Sequence, residues 1–232
     1  NVMTVHFIGA GPGAADLLTL RAVRLLQESP ICLYAGTYID DEVLSHCGPE
    51  TELIDTAYLN LDAITATLVA AHDAGHDVAR LCSGDPSIYS AIAEQTRRLD
   101  AAGVPWDLTP GVPAYAATAA LIGRELTVPE VAQSVVLTRA QKDSTKMPPG
   151  ETLAAFAATN ATLVLHLAIR HTRRLADELS AHYGANCPVV VGSQVTQPEE
   201  LILRGTLADI ADQVEAAGLT QAAVIIVGWA LS

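Results

Sequence analysis

The segment 78–86, Val-Ala-Arg-Leu-Cys-Ser-Gly-Asp-Pro, places a carboxylate directly after an apolar strand. Ligands of open α/β sheets bind just past the carboxyl ends of the strands. Gly84 permits close approach to the main chain, and Pro86 has the φ angle of a first helical turn. The sequence therefore predicts a functional loop at Ser83, Gly84 and Asp85. It leaves open whether Asp85 handles a proton or only caps a following helix.

Three further turns of small residues, at 9–13, 34–37 and 109–114, each follow an apolar strand. The first, Gly-Ala-Gly-Pro-Gly, resembles a dinucleotide loop, but Ala14 stands where that motif has its third glycine and Pro12 lacks an N–H. A tight turn that lines an uncharged or cationic ligand fits better than a pyrophosphate site. The common location of the four turns predicts one shared ligand cleft.

The elements that must position these turns alternate between strand and helix along most of the chain. Strands are predicted at 5–9, 31–34, 53–55, 78–81, 106–108, 135–138, 163–166, 189–192, 200–204 and 224–227. Helices are predicted at 16–27, 40–45, 61–74, 88–101, 114–122, 152–158, 170–182 and 207–217. This alternation predicts an α/β protein of two domains joined near residues 110–134.

The first domain is expected to cover 1–112 with a mainly parallel sheet, and a linking helix and connection to cover 113–134. The second domain, 135–232, is expected to have a mixed sheet. The run 200–204 follows Pro198 closely with no crossover helix before it, which favours antiparallel pairing with a neighbour.

The formal net charge of −13 argues against nucleic-acid binding, because phosphates require a basic surface. No stretch of eighteen apolar residues and no leader pattern is present, so a cytoplasmic protein outside the membrane is expected. The four cysteines are scattered without a CxxC pair, which indicates reduced thiols and no metal site.

A polar loop at 141–150 follows the predicted strand that ends in Thr138-Arg139-Ala140. It is interpreted either as a flap over a site or as a solvated surface loop. Arg139, Lys142 and Lys146 fall together here, and they are candidates to bind an anionic substrate.

Taken in order, these motifs resemble the tetrapyrrole (uroporphyrinogen/precorrin) methyltransferase family. The resemblance runs from about residue 4 to residue 231 and rests on the segments 9–13, 16–19, 81–89 and 110–112. Three shorter segments, 34–37, 137–140 and 228–231, resemble members that methylate carbon 11 of precorrin-4 in corrin (vitamin B12) synthesis.

The resemblance implies two α/β domains of the tetrapyrrole methylase type with the active-site cleft between them. It also implies S-adenosylmethionine as methyl donor, a tetrapyrrole as substrate and a homodimer. The donor contacts that it implies are Pro12, Ser83, Gly84, Asp85, Ile88, Pro113, Ala114, Leu167, Val195, Thr220 and Ala222. The chain departs from the family pattern at Pro113, Leu167 and Val195, where relatives often carry other residues. Asp85 is the predicted catalytic group, and Tyr34, Arg139, Lys142 and Lys146 are the predicted substrate contacts.

Two alternatives stay open at this stage. Within the family, the substrate could instead be cobalt-precorrin-4 or the target another ring position. Outside enzymes, two linked α/β units with glycine-rich turns also suit a nucleotide-binding regulatory module. Binding of S-adenosylmethionine but not of dinucleotides would separate these classes.

Overall fold

The structure of the protein, a computed structural model, describes residues 2–140 and 146–232. These residues form two compact units, the first ending at Pro113 and the second spanning Ala114–Ser232. Each unit contains one five-stranded sheet with helices on both faces, so the predicted class of two α/β domains is confirmed. None of the helices in the described ranges is long and apolar enough to span a membrane.

The first unit alternates strand and helix from its first strand to its last. Its elements are β1 (Val5–Gly9), α1 (Leu20–Glu28), β2 (Ile31–Tyr34), α2 (Asp41–Leu44), β3 (Glu52–Asp55), α3 (Leu61–Asp73), β4 (Val78–Cys82), α4 (Ala93–Ala101) and β5 (Trp106–Thr109). The sheet has the order β3-β2-β4-β1-β5, and every pair is parallel. All five carboxyl ends therefore meet at one edge, which we call the first edge.

Both faces of the first sheet are covered by helices. Leu26 of α1 and Val43 of α2 pack on one face, and Leu68 of α3 and Leu99 of α4 pack on the other. Because central parallel strands are buried on both faces, they read as continuous apolar runs rather than as alternating ones. For this reason the apolar runs in the sequence predicted the positions of these strands well.

The second unit contains a mixed sheet of order β6-β7-β10-β8-β9. Its elements are α5 (Ala114–Ile122), β6 (Val135–Arg139), α6 (Leu153–Ala157), β7 (Thr162–His166), α7 (Thr172–Tyr183), β8 (Pro188–Ser193), β9 (Leu201–Thr206), α8 (Ile210–Ala217) and β10 (Ala223–Val227). β6 and β7 are parallel and the other pairs are antiparallel. The antiparallel pairing predicted for 200–204 is confirmed, since Leu203 pairs with Val191.

Two predicted helices begin later than expected. The helix predicted at 16–27 is a short 3-10 turn followed by α1, because the Thr19 hydroxyl accepts the Ala22 N–H and caps a new start. The helix predicted at 88–101 begins at Ala93, because Tyr89 and Ala91 have φ angles of 50° and 52°, outside the helical region. α5, which the sequence placed in the connection, packs within the second unit through Ile122.

Candidate functional site

Three glycines bring the main chains of three neighbouring turns into direct contact at the first edge. Gly9 ends β1, Gly84 follows β4 and Gly111 follows β5. A Cβ atom on Gly9 would lie 2.5 Å from the Gly111 nitrogen and 2.8 Å from the Gly84 carbonyl oxygen. No side chain fits between these turns, so they meet through their main chains.

The turn after β1 is also hydrogen-bonded to the turn after β4. The Gly11 N–H donates to the Gly84 carbonyl at 3.2 Å, and the Gly84 N–H donates back to the Gly11 carbonyl at 2.9 Å. Both glycines have left-handed backbones, with φ angles of 75° and 66°. The bridge places buried Pro12 beside Ser83 and Gly84, so these three donor contacts implied by the family resemblance lie together.

Asp85 links two of these turns through its side chain. Its Oδ1 accepts the Gly111 N–H at 3.1 Å, and its Oδ2 accepts the Ser87 hydroxyl. The Asp85 main-chain carbonyl also accepts the Ser90 hydroxyl at 3.1 Å. Asp85 therefore does not cap a helix at residue 86, where none begins, and both of its carboxylate oxygens have partners.

Tyr34, a predicted substrate contact, ends β2 at the same edge and is half-buried. The turn after it depends on Asp55, which the sequence reasoning missed. Asp55 Oδ1 accepts the N–H groups of Gly36 at 3.0 Å and Ala57 at 2.9 Å. These two hydrogen bonds, Ala57 first, lower the pKa of Asp55. An acidic residue at a strand end, with a small-residue turn on the next strand, was the available signal.

The second unit gathers its predicted residues at one edge of its own sheet, which we call the second edge. Arg139 ends β6 and pairs with His166, so Leu167 follows at the same end. Because β8 and β10 are antiparallel, the end of β8 lies beside the start of β10, where Ser193 pairs with Ala223. The second edge therefore carries Arg139, Leu167, Val195, Thr220 and Ala222.

Strained backbone concentrates at the second edge. Leu167, Gln194, Thr196 and Ala222 all have positive φ, between 46° and 66°. Non-glycine residues in this region cost free energy and cluster at functional sites. The Gln194 N–H donates to the Ala222 carbonyl at 3.1 Å, so the two strained loops are held together. Two of the predicted donor contacts, Leu167 and Ala222, are among these strained residues.

His166 is a second residue that the sequence reasoning missed. It is the last residue of β7, it is half-buried, and burial lowers the pKa of its imidazole. In the sequence, a histidine at the end of an apolar strand looks like a core residue. Only its pairing with Arg139 in the sheet distinguishes it from one.

The predicted basic residues are only partly described. Arg139 is half-buried and its Nη1 donates to the Ala140 carbonyl at 3.1 Å, while Lys146 is exposed. Lys142 lies outside the described residues. Thr220 is exposed, and its carbonyl accepts the Arg170 Nε–H at 2.9 Å.

The charge of the first-edge turns limits what they can bind. The turns 9–14, 83–88 and 109–113 contain no lysine or arginine, and Asp85 is their single carboxylate. Pyrophosphate binding needs free N–H groups and favours cations, and Pro12 removes one N–H from the first turn. The arrangement suits a ligand held by backbone groups that is neutral or positively charged.

Comparison with known proteins shows similarity along nearly the whole chain. The family model for tetrapyrrole (corrin/porphyrin) methylases matches residues 4–211. A precorrin-4 C(11)-methyltransferase from Rhodococcus erythropolis is 56% identical over 99% of this chain and 92% of the relative. A cobalt-precorrin-4 C(11)-methyltransferase from Priestia megaterium is 36% identical over 99% of this chain and 89% of the relative.

Solved structures are also similar to this chain along nearly its whole length. The X-ray structure of a cobalt precorrin-4 methyltransferase matches with a TM-score of 0.95 at 35% identity, covering 99% of this chain and 96% of that one. A uroporphyrin-III C-methyltransferase from Thermus thermophilus, solved with S-adenosylhomocysteine, matches with a TM-score of 0.81 at 27% identity. That match covers 98% of this chain and 93% of the other.

Proposed function

The chain belongs to the tetrapyrrole (corrin/porphyrin) methylase family, and we propose that it transfers a methyl group from S-adenosylmethionine to carbon 11 of precorrin-4. The product is precorrin-5, an intermediate of corrin synthesis. The observation that carries the proposal is the identity of 56%, over almost the full length, to a relative named for this reaction. The lower identity of 36% to a relative named for the cobalt substrate favours the metal-free acceptor.

The first edge fits S-adenosylmethionine. When bound, this donor supplies a methyl group activated by a positively charged sulfur. The turns that meet at Gly9, Gly84 and Gly111 carry no lysine or arginine that would repel a sulfonium. We assign donor binding to Pro12, Ser83, Gly84, Asp85, Ile88, Pro113 and Ala114, together with Leu167, Val195, Thr220 and Ala222.

Asp85 acts chiefly as a positioning residue in this proposal. Its carboxylate holds the Gly111 N–H and the Ser87 hydroxyl, which ties the turns after β4 and β5. Methyl transfer to an electron-rich ring carbon depends mainly on alignment of donor and acceptor. A fixed turn supplies that alignment without requiring Asp85 to accept the proton that the tetrapyrrole loses after methylation.

The acceptor carries carboxylates, and Arg139 is the group of the second edge proposed to bind one of them. Its guanidinium is half-buried at a strand end, and arginine binds carboxylates in bidentate geometry. Lys146 is proposed to add positive charge, as is Lys142.

Methyl transfer is tested by incubating the pure protein with S-adenosylmethionine and enzymatically prepared precorrin-4. The expected product is heavier by one methylene group in mass spectrometry. Cobalt-precorrin-4 serves as the parallel substrate, and faster turnover of the cobalt form would contradict the metal-free assignment.

Calorimetry separates the enzyme from the regulatory-module alternative. S-adenosylhomocysteine is expected to bind with micromolar affinity and NAD is expected not to bind. Binding of NAD without binding of S-adenosylhomocysteine would overturn the proposed function.

The protein is also proposed to be a cytoplasmic homodimer, as the family resemblance implies. Sedimentation velocity over a range of protein concentrations tests the dimer, and a species of monomer mass throughout would contradict it.

A further inference from the structure

Tyrosines are concentrated in the loops of the first edge. The chain has six, and four of them, Tyr34, Tyr38, Tyr58 and Tyr89, end or follow β2, β3 and β4. Tyr58 is 97% exposed, Tyr38 is 58% exposed and Tyr89 is 46% exposed. Large apolar rings exposed together mark a surface that contacts something else.

The strand order places the loops that carry these tyrosines next to one another. β3, β2 and β4 are consecutive neighbours in a parallel sheet, so their following loops leave the same edge in a row. Neighbouring strands are about 4.8 Å apart, so three loops span roughly the width of a flat ring system. We call Tyr38, Tyr58 and Tyr89 the tyrosine row.

The glycine turns occupy the other half of the same edge, after β4, β1 and β5. The loop after β4 belongs to both halves, because it contains Asp85 and, four residues later, Tyr89. A donor held on the glycine turns therefore has the tyrosine row as its direct continuation. Methyl transfer requires donor and acceptor to be adjacent, which places the acceptor on that continuation.

Hydrogen bonds connect the end of β2 to the residue that follows β3. The Tyr34 carbonyl accepts the Thr56 N–H at 2.8 Å and the Thr56 hydroxyl at 3.3 Å. That hydroxyl in turn accepts the Nη1–H of buried Arg80 at 3.4 Å. The backbone beneath the rings is therefore fixed before a ligand arrives, which reduces the entropy lost on binding.

The residues of these loops favour contact with an aromatic ring of the ligand over contact with its carboxylates. Segments 35–40, 56–60 and 83–92 contain no lysine or arginine, and they carry Asp40 and Asp85. Carboxylates of a ligand would be repelled here, whereas the face of a conjugated ring would stack on tyrosine.

We propose that the tyrosine row binds a ring face of the tetrapyrrole acceptor, with the carboxylate side chains of the acceptor turned away from it. This inference rests on the proposed function and deepens it by naming the residues that hold the acceptor. A second copy of this chain is the competing occupant, and the experiment includes it.

The test compares Tyr38→Ala, Tyr58→Ala and Tyr89→Ala with the matching phenylalanine variants. Each alanine variant is expected to raise KM for precorrin-4 about 3- to 10-fold, because one aromatic contact is lost. The phenylalanine variants keep the ring and are expected to stay within about 2-fold of the wild type. Affinity for S-adenosylhomocysteine should not change, and Leu53→Ala, an exposed apolar residue within β3, is the control.

Binding of uroporphyrin III, a stable planar tetrapyrrole, is measured in parallel by fluorescence titration. Loss of this binding in the alanine variants supports the tyrosine row even if the wild type does not methylate precorrin-4, which would be a failure of the proposed function alone. Unchanged KM and unchanged uroporphyrin binding in all three alanine variants would overturn the inference. So would a change in the monomer–dimer equilibrium with no change in either ligand measurement.

Discussion

The Asp85 carboxylate accepts the Gly111 N–H at 3.1 Å, which joins the turn after β4 to the turn after β5. The two residues are 26 positions apart, and β1 lies between their strands in the sheet. One side chain therefore spans the width of the glycine turns. The Asp85 carboxylate therefore stabilises the contact between these turns whether or not it also transfers a proton.

Replacing Asp85 separates these two roles. Asp85→Ala removes both hydrogen bonds and is expected to cost about 1.5–3 kcal/mol in the free energy of unfolding, and to weaken S-adenosylhomocysteine binding about 10-fold. Asp85→Asn keeps an oxygen for the Gly111 N–H and is expected to retain kcat within about 5-fold. Urea unfolding, calorimetry and steady-state kinetics measure these effects. A loss of 100-fold or more in kcat for Asp85→Asn, with donor affinity intact, would instead indicate proton transfer.

Gly111→Ala tests the contact between the turns directly. The new methyl group would lie 2.8 Å from the Gly9 Cα, and the backbone cannot yield cheaply. We expect a loss of about 1–3 kcal/mol in the free energy of unfolding and a loss of donor binding.

Gly150→Ala is the matched control, because nothing lies within 4 Å of its added Cβ and its φ angle is not left-handed. It should leave unfolding and donor affinity unchanged. Equal behaviour of the two variants would show that the close packing of the glycine turns has no role.

The sequence predicted the strands well and the loop after β4 poorly, for a physical reason. Strands buried on both faces are marked by local apolar runs, which need no knowledge of the fold. The segment 86–92 has residues compatible with a helix, but its course is set by hydrogen bonds to Asp85 and by left-handed Tyr89 and Ala91. Asp85 is itself held by the Gly111 N–H across the edge, 26 positions away, and a single sequence does not reveal that partner.

The site residues divide along the same line. The turns that carry Pro12 and Ser83–Asp85 could be predicted because glycine and proline mark turns at strand ends. Asp55 and His166 could not, because their importance comes from partners on other strands, the Gly36 N–H and the paired strand of Arg139. The tyrosine row likewise becomes visible only when the strand order makes three loops neighbours.

Acidification should destabilise the protein through His166. Burial lowers the pKa of His166 below its ordinary value of 6.5 in the folded state. The unfolded chain then binds more protons between the two pKa values, so the free energy of unfolding rises with pH across that window and falls as the pH drops through it. Urea unfolding at pH 7.5 and pH 5.5 should show a smaller drop for His166→Asn than for the wild type. An equal drop in both proteins would mean that His166 does not contribute.

Cys47 should be the most reactive of the four thiols. Cys32 is buried on β2 and its S–H donates to the Cys47 sulfur, which lowers the pKa of Cys47 and raises that of Cys32. Burial raises the pKa of both Cys82 and Cys187 to about 11, so their thiolate fractions at neutral pH are small. Titration of the native protein with Ellman's reagent should therefore give one fast phase.

Substitution of individual cysteines identifies the thiol that gives the fast phase. Cys47→Ser should abolish it, and Cys32→Ala should slow it, because the hydrogen bond that stabilises the Cys47 thiolate is gone. Cys187→Ser is the control and should leave the fast phase unchanged. A fast phase that survives in Cys47→Ser would refute the assignment. If Cys32→Ala accelerates the reaction, access to Cys47 rather than its pKa controls the rate, because the smaller alanine side chain opens the cluster around Cys32.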